Sequence, residues 1–543
     1  MIVKMKNTTI NGVENTCKLS GFPYFSYLGI PYAKPPIGNL RFQPPQKPDE
    51  LEEEFDATLE GDDCIQMSRS RPGTIGSEDC LYVNVYVPKT EDNDRLKPVL
   101  VYAHGGLFTY FSGSSNYFSP DYVLPHDVIV VTINYRLHVL GFLDLGLPDS
   151  PGNVGLKDLI LALQWVKENI ECFGGDPNKI TAGGNSCGAA LLHLLTFSPA
   201  TKDMNLFQQL VMFSGNALMR PAVTNSVERA FEFGHRLGYR GKNKEGLLKF
   251  LKNVPADELV EGLTAYHRYL QLENGGDIIV LPFSPSVETI EEGAIITAET
   301  QSLADQSVKL PTFTGLMSKE GMFAFYLDPF VMNHLREDFT TCVGRMLPMI
   351  NDKILPEVAD MIKLYYFKNK DIDFNSGKET IDLYTDVIWT RAFYDLSNFK
   401  DVNEEKWPVF VFHFLYEGPL NCYKKYYPVI TRLMDGPTHD DILGYILPFK
   451  SDIASRFSSK RDIKVIKNLS ALFCNFIKTG NPNGDNVSVN WKPFSQDQPN
   501  FLQIHENMKM CNGYINEDRY KFWLKINKII KEGKIENNET EEE

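Results

Sequence analysis

The chain has 543 residues, of which 43% are hydrophobic and 23% charged, and these proportions are typical of a globular protein with a large core. Its formal net charge of −15 at pH 7 argues against a nucleic acid as a partner, because an acidic surface repels phosphate groups. No apolar run approaches the ~18 residues of a membrane span, so the sequence predicts no transmembrane segment. The nine cysteines include no C-x-x-C pair and the histidines are not clustered, so we expect neither a metal site nor a cofactor.

The first element with a bearing on chemistry is an apolar strand predicted over residues 98–103. It runs into His104-Gly105-Gly106-Leu107-Phe108, a loop that contains a glycine pair. A glycine pair after a strand is common in turns of every kind. In a hydrolase such a loop supplies backbone N–H groups for an oxyanion hole, so its meaning depends on the motifs further along the chain.

The most informative segment covers residues 180–197, where a β-type run ends in Gly184-Asn185-Ser186-Cys187-Gly188 and a helical run begins at Ala189. This is the only G-x-S-x-G match in the sequence. Strand, sharp turn and helix form the context of a nucleophile elbow, in which the glycines let the backbone pass and the serine hydroxyl points outward. The pattern predicts Ser186 as a nucleophile and places the N–H of Cys187 beside the oxygen of a bound carbonyl.

A serine nucleophile needs a base and a carboxylate, and after a nucleophile elbow both are expected later in the chain, with the acid first. Residues 310–317 are predicted to form a strand, and the turn Ser318-Lys319-Glu320-Gly321 places Glu320 just beyond its end. Taken alone, Glu320 would be interpreted as a solvated turn carboxylate. Its position between the elbow and a suitable histidine makes it the candidate acid.

Four histidines follow residue 320 and compete for the role of the base. His413 lies in an apolar run over residues 409–415 that is typical of a buried strand, so we interpret it as structural. His334 and His505 are predicted to be surface residues. His439 lies in a turn-rich loop over residues 435–441, the kind of segment in which catalytic residues concentrate. We therefore predict His439 as the base.

An HGG loop, an elbow, an acid and a histidine in this order resemble the type-B carboxylesterase and cholinesterase-like family of α/β-hydrolases. The similarity extends from about Ile2 to about Trp523, and residues 281–288 look most like insect α-esterases. Further motifs that carry the resemblance are residues 29–36, 40–42, 77–85, 134–136, 151–158, 162–166, 173–177 and 213–215.

The resemblance implies an α/β-hydrolase fold, with a large, mostly parallel, twisted central sheet flanked by helices. We expect one such domain over residues 1–530, and the polar, acidic composition of residues 531–543 predicts a disordered tail. By the same resemblance the catalytic residues are Ser186, His439 and Glu320, the oxyanion hole is formed by Gly106, Leu107 and Cys187, and Ser214 lies behind the triad acid. The resemblance also implies ion pairs Arg41–Glu78 and Arg136–Asp158, and a disulfide between Cys64 and Cys80.

Four positions depart from the usual pattern of the family. Asn185 stands where an acidic residue or glutamine usually precedes the serine, Cys187 replaces alanine and Ala189 replaces glycine. Leu107 replaces glycine or alanine. We expect Cys187 to press on the acyl pocket, and Leu107 either to crowd the acyl side of the site or to tilt the N–H that it donates. One misplaced donor costs about a hundredfold to a thousandfold in turnover. The segment between Cys64 and Cys80 lacks the tryptophan with which cholinesterases bind choline, which argues against quaternary-amine esters.

The sequence therefore predicts a serine carboxylesterase that hydrolyses hydrophobic carboxylic esters, with a small-molecule ester as its partner. Two alternatives stay open: a juvenile-hormone- or pheromone-type esterase of narrower specificity, and a binding or sequestering protein of the same fold with slow turnover. The oligomeric state stays open too.

The N-terminus lacks the apolar core of a signal peptide, which predicts a cytoplasmic protein. The sequons at Asn7, Asn468, Asn486 and Asn538, with the frequent secretion of the family, favour the alternative of a secreted protein whose N-terminus is incomplete.

Overall fold

An eleven-stranded mixed sheet organises the part of the chain that the structure, a computed structural model, describes. The described residues are 2–91, 95–220, 223, 227–275, 279–347, 349–368, 370–397, 406–421, 423–426, 434–454 and 458–534. The strands are β1 (Ile2–Met5), β2 (Thr8–Asn11), β3 (Val13–Thr16), β4 (Pro23–Pro31), β5 (Glu54–Asp56), β6 (Gln66–Met67), β7 (Thr74–Ile75), β8 (Tyr82–Pro88), β9 (Lys97–Ala103), β10 (Ile129–Ile133), β11 (Asp144–Leu147), β12 (Ser150–Pro151), β13 (Gly175–Asn185), β14 (Gln209–Phe213), β15 (Thr312–Met317), β16 (Val409–Phe414), β17 (Asn500–Ile504) and β18 (Lys509–Asn512).

Helices cover both faces of this sheet. They are α1 (His138–Phe142), α2 (Val154–Asn169), α3 (Ser186–Phe197), α4 (Val227–Arg236), α5 (Lys244–Asn253), α6 (Ala256–Glu273), α7 (Thr300–Ala304), α8 (Phe323–Leu327), α9 (Val331–Glu337), α10 (Phe339–Met346), α11 (Leu355–Phe367), α12 (Gly377–Tyr384), α13 (Arg391–Ser397), α14 (Lys460–Thr479) and α15 (Glu517–Glu532). A π-helix, Thr385–Thr390, joins α12 to α13.

The strand order of the central sheet is β18-β17-β16-β15-β14-β13-β9-β10-β8-β4-β3. The seven adjacent strands from β17 to β10 pair in parallel. Strands β8, β4 and β3 at one end and β18 at the other pair antiparallel. The prediction of a large, mostly parallel sheet flanked by helices is confirmed.

Alternate residues of the central strands enter two different apolar cores. In β9, Val99 and Val101 pack into one cluster, whereas Leu100 and Tyr102 pack into the other. A parallel strand buried on both faces needs apolar residues at successive positions, which is why residues 98–103 are a continuous apolar run. A third cluster lies among the helices from α8 to α13 and α15.

Several observed boundaries differ from the predicted ones, among them those of β15, α3 and α15. Strand β15 begins at Thr312 rather than at residue 310, because Pro311 has no N–H for the ladder. Helix α3 begins at Ser186 itself, three residues before the predicted start. Helix α15 continues to Glu532, two residues beyond the predicted domain boundary. The rest of the predicted tail from residue 535 onward, with the sequon at Asn538, lies outside the described residues.

The carboxyl ends of the parallel strands meet at one edge of the sheet, where open α/β sheets bind their ligands. Strand β9 ends just before His104 and strand β13 just before Ser186. Strand β14 ends before Ser214, and β15 ends three residues before Glu320. The topology therefore places the HGG loop, Ser186, Ser214 and Glu320 at the same edge of the sheet.

Candidate active site

The G-x-S-x-G segment forms a tight turn between β13 and α3. Ser186 has a φ of 53°, a left-handed conformation that is uncommon outside glycine. A Cβ atom on Gly184 would lie 2.8 Å from the backbone of Gly188, and one on Gly188 would lie 2.3 Å from the Ala103 carbonyl oxygen. Both positions therefore require glycine, which is the physical reason for the motif.

Ser186, His439 and Glu320 form a continuous hydrogen-bonded chain. His439 Nε2 lies 2.9 Å from Ser186 Oγ, and His439 Nδ1 lies 2.7 Å from Glu320 Oε2. All three residues are buried. Because the Nδ1–H donates to the carboxylate, Nε2 is left to accept the serine proton, which is the tautomer that a general base requires.

Two donors hold the other oxygen of Glu320. The Ser214 hydroxyl donates to Oε1 at 2.7 Å, and the Met317 N–H donates to the same atom at 2.9 Å. The Trp389 indole N–H donates to the Ser214 carbonyl at 3.0 Å, which ties the π-helix to this position. Glu320 is fully buried and fixed by three hydrogen bonds, and is not the solvated carboxylate that its turn alone suggests.

The buried side chain of Asp441 holds the loop that carries His439. Its Oδ2 accepts from the Thr438 N–H at 2.8 Å, and its Oδ1 accepts from the N–H groups of Tyr423 and Lys424. Burial raises the pKa of Asp441 to about 7, against the lowering effect of the Thr438 and Lys424 N–H groups. The carboxylate thus closes the loop around the histidine.

The predicted oxyanion loop lies beside Ser186. Gly106 and Leu107 line the same pocket as Ser186 and His439. Leu107 has a φ of 57°, a conformation that costs a non-glycine residue roughly 1–2 kcal/mol. A Cβ on Gly106 would lie 2.3 Å from the Tyr110 carbonyl oxygen, so a glycine is needed there.

Cys187 supports this loop from behind. Its sulfur accepts a hydrogen bond from the Phe108 N–H at 3.2 Å, and its side chain is buried. Burial raises the pKa of the thiol to about 12, opposed by the Phe108 N–H. The expectation that this side chain presses on the acyl pocket is wrong, because the sulfur points at the loop backbone and Cys187 is not one of the residues that line the pocket. Its own N–H lies in the first turn of α3, where N–H groups have no helical partner.

Asn185, directly before the nucleophile, makes three buried hydrogen bonds. Its Oδ1 accepts from the Gly105 N–H and from the Tyr102 hydroxyl, each at 3.0 Å. Its Nδ2 donates to Asp440 Oδ2 at 2.7 Å. The residue thus connects the predicted oxyanion loop to the loop that carries His439.

Aromatic side chains dominate the pocket in front of Ser186. Besides the residues already named, its lining consists of Arg69, Tyr110, Phe111, Phe323, Tyr326, Tyr423 and Asp440. The Arg69 guanidinium lies 4.9 Å from the centroid of the Phe111 ring. The ring centroids of Phe323 and Trp389 lie 4.8 and 5.1 Å from that of His439. The lining is therefore mostly apolar and aromatic, as the binding of an apolar ligand requires.

The predicted disulfide and ion pairs are present. Cys64 and Cys80 form a disulfide with a Cα–Cα distance of 4.9 Å. Gln66, inside the loop that this bond closes, exchanges hydrogen bonds with the backbone of Phe111 on the pocket wall. The bond therefore anchors one side of the pocket.

The two ion pairs hold the frame around the site. Arg41 and Glu78 pair through two hydrogen bonds of 2.6 and 2.5 Å. Arg136 and Asp158 do so at 2.8 and 2.6 Å in a fully buried position.

The other candidate histidines do not contact Ser186. His413 is a buried residue of β16, where burial lowers its pKa to about 3. His505 is exposed, and His334 is half-buried on α9, where its Nε2 lies 3.4 Å from a carboxylate oxygen of Asp328. The prediction that His413 is structural is confirmed, and so is the surface position of His505.

Sequence patterns missed several residues of the site. Asp440 follows His439 directly, and that adjacency is the one available signal for it. Trp389 and Phe323 come from distant helical segments whose sequences carry no motif for this contact. A second, larger cavity lies between α3, α13 and strands β14 to β16; its lining is mostly apolar but includes His193, Thr196 and Ser307. It contains no member of the hydrogen-bonded chain.

Among the helices within the described ranges, none has the length and apolarity to cross a membrane.

Known proteins are similar to this chain in sequence and in fold. The family model described as "Carboxylesterase family" matches residues 1–523. A juvenile hormone esterase of Tribolium castaneum is 31% identical over 92% of this chain and 90% of that protein. Esterase FE4 of Myzus persicae is 31% identical over 89% of this chain and 85% of its own length. The crystal structure of juvenile hormone esterase from Manduca sexta, with OTFP covalently attached, has a TM-score of 0.83 and 26% identity, covering 97% of this chain and 99% of that one.

Proposed function

Because this chain belongs to the carboxylesterase family, with the α/β-hydrolase fold and the activity of a carboxylic ester hydrolase, we propose that Ser186, His439 and Glu320 are its catalytic residues. The observation that carries the proposal is the hydrogen-bonded chain from Ser186 Oγ through both imidazole nitrogens to the Glu320 carboxylate. A nucleophile, a base and an orienting acid stand in the order and geometry that acyl transfer requires.

The proposed reaction has two steps. Ser186 Oγ attacks the ester carbonyl carbon while its proton passes to His439 Nε2, and the carbonyl oxygen gains negative charge opposite the N–H groups of Gly106, Leu107 and Cys187. The imidazolium then gives this proton to the alcohol oxygen as the C–O bond breaks. In the second step water repeats the sequence on the acyl-enzyme, and Ser186 recovers its proton.

The substrate class we propose is a neutral ester with hydrophobic acyl and alcohol groups. Its support is the lining of the pocket, in which Leu107, Tyr110, Phe111, Phe323 and Tyr326 surround the nucleophile. Apolar groups of the substrate gain free energy when these side chains take them out of water.

A fluorophosphonate probe tests the nucleophile, because it phosphonylates an activated serine. We expect Ser186→Ala to abolish both labelling and hydrolysis of naphthyl esters. Ser307→Ala is the matched control, since Ser307 lines the larger cavity and should leave both signals unchanged. Undiminished labelling of the Ser186→Ala protein would refute the assignment.

The relatives named juvenile hormone esterase support a second candidate, an esterase restricted to one long apolar ester. Asn185 departs from the glutamine expected in that group. A kcat/KM for a juvenile-hormone-type methyl ester that exceeds the values for naphthyl and p-nitrophenyl esters by about a hundredfold or more would favour this candidate, and similar values would favour the general carboxylesterase.

The left-handed Leu107 in the pocket keeps a slow-turnover sequestering protein as a third candidate. An acylation burst without steady turnover would identify that behaviour.

A further inference from the structure

A second carboxylate adjoins the catalytic imidazole. Asp440 follows His439 in a left-handed conformation with a φ of 64°, and is 3% exposed. Its Oδ2 lies 3.5 Å from His439 Nε2, the same nitrogen that faces Ser186 Oγ. Its Oδ1 is buried and makes no hydrogen bond to the described residues. The imidazole thus has a carboxylate at each nitrogen, Glu320 at Nδ1 and Asp440 at Nε2.

The surroundings of the Asn185 amide fix its orientation. The Gly105 N–H is an obligate donor, so the Asn185 atom that faces it must be the oxygen Oδ1. The Nδ2 group is therefore the one that donates to Asp440 Oδ2 at 2.7 Å. An ionised acidic residue at position 185 would instead present an oxygen to this carboxylate at the same short distance. Asn185 complements the charge of Asp440.

We propose that Asp440 is an electrostatic positioning residue of the esterase reaction, whose carboxylate stabilises the protonated form of His439 and is held in place by Asn185. The inference rests on the proposed role of His439 as the general base. When the serine proton reaches Nε2, the imidazole becomes a cation beside Asp440. The carboxylate stays ionised and exchanges no atom with the substrate, so the proton inventory of the reaction is unchanged.

The charges around the pair agree with this role. Burial lowers the pKa of His439, but Asp440, followed by Glu320 and Asp441, raises it by more, so the net direction is upward. Burial raises the pKa of Asp440 to about 6; His439 and Asn185 lower it, and Glu320 raises it. The neighbouring Tyr102 and Cys187 are kept neutral, because burial and Asp440 both raise their pKa values.

The charge of Asp440 affects catalysis in a definite direction. A general base must be neutral, so kcat/KM falls as pH drops through the pKa of His439. Removing the charge of Asp440 lowers that pKa, which moves the acidic limb of the pH profile of kcat/KM to lower pH. It also removes stabilisation of the imidazolium in the transition state, which lowers the maximum (plateau) value of kcat/KM.

Two variants separate charge from structure. Asp440→Asn keeps an acceptor for the Asn185 amide, and asparagine tolerates the left-handed backbone. Asp440→Gly removes the side chain and relieves the backbone. We expect both to lower the plateau of kcat/KM about tenfold and to shift the acidic limb down by about one pH unit. Asp144→Asn, at a buried aspartate outside the pocket, is the control and should leave the limb in place.

A charge exchange provides an independent test. Asn185→Asp alone should be more damaging than Asp440→Asn, because two carboxylates then face each other. Adding Asp440→Asn to Asn185→Asp should recover much of the lost kcat/KM, since an amide and a carboxylate again share the hydrogen bond. A double variant no better than Asn185→Asp would count against the proposal.

Two results would overturn it outright. One is an unmoved acidic limb in both Asp440 variants. The other is a fully active Asp440→Asn with an impaired Asp440→Gly, which would show that the side chain only supports Asn185. Both results are distinguishable from failure of the proposed function. If the proposed function is wrong, the Ser186→Ala variant keeps its esterase activity, whatever the Asp440 variants do.

Discussion

Replacing Leu107 with glycine should raise kcat/KM for bulky-acyl esters more than for acetate esters. Leu107 lines the pocket beside Ser186, and its backbone belongs to the proposed oxyanion loop. Its φ of 57° is a conformation that a branched side chain adopts at a cost. Glycine adopts this conformation freely, and its small size opens the acyl side of the pocket.

The expected effect on the free energy of unfolding is small, because one favourable contribution opposes two unfavourable ones. Relief of the left-handed backbone gains about 1–2 kcal/mol. The extra flexibility of glycine in the unfolded chain costs about 0.5–1 kcal/mol. Leu107 is half-buried against the core, so losing its side chain costs about half of the 1.5–3 kcal/mol of a fully buried leucine. The sum lies between a loss of about 1.5 kcal/mol and a gain of about 0.75 kcal/mol, which is small against the stability of a folded protein, so a change in kinetics would report on the pocket.

An oxyanion donor is worth about 2.7–4 kcal/mol. Recovering about a third of this by better alignment would raise kcat/KM roughly five- to tenfold, since 1.4 kcal/mol corresponds to a factor of ten. The assay is a series of p-nitrophenyl esters of increasing acyl length, compared by kcat/KM. Lys6→Gly is the matched control, because Lys6 has a φ of 54° in the turn between β1 and β2, outside the pocket. Equal or lower kcat/KM for every acyl length in Leu107→Gly would refute the reasoning.

Three further predictions concern the surroundings of the triad. Ser214→Ala removes a donor to the Glu320 carboxylate and should lower the free energy of unfolding by about 1.5–3 kcal/mol and slow kcat; an unchanged urea midpoint and kcat would contradict this. Replacing Cys64 and Cys80 together by serine opens a loop of sequence separation 16 and should lower stability by about 3 kcal/mol; insensitivity of the wild-type melting temperature to reductant would argue against it. The folded-state pKa of Asp440, about 6, lies above the ordinary 3.8, so its ionisation destabilises the fold increasingly as pH rises between those values. At pH 8 the Asp440→Asn variant should therefore have a higher melting temperature than the wild type, and a free energy of unfolding that is greater by up to about 3 kcal/mol. Near pH 4 the two proteins should differ little.

Local sequence patterns predicted the elements that lead into the site. The continuous apolar runs at 98–103 and 409–415 became β9 and β16, since a strand buried on both faces needs apolar residues at successive positions. The short edge strands, such as β3 and β18, carried no such signal. Their side chains are partly exposed, and pairing with a neighbour rather than composition defines them.

The hydrogen-bonded chain was predictable for a different reason. The glycines around Ser186 and beside His104 are required sterically, so they leave a readable pattern. Glu320 had no such signature. Its burial comes from Ser214 and from residues far along the chain, and only the order of acid and histidine pointed to it.

Asn185 shows why a departure from a family pattern needs a partner before it can be interpreted. In isolation the missing charge looks like a loss of electrostatic support for the histidine. The structure places a carboxylate 2.7 Å from its amide nitrogen and 3.5 Å from the imidazole, contributed by Asp440, 255 residues away in sequence. Both a carboxylate at 185 and one at 440 would have to share this buried space, and one of them would then have to bind a proton. In this chain the carboxylate beside the imidazole is therefore that of Asp440, and the amide of Asn185 is the neutral partner that this placement requires.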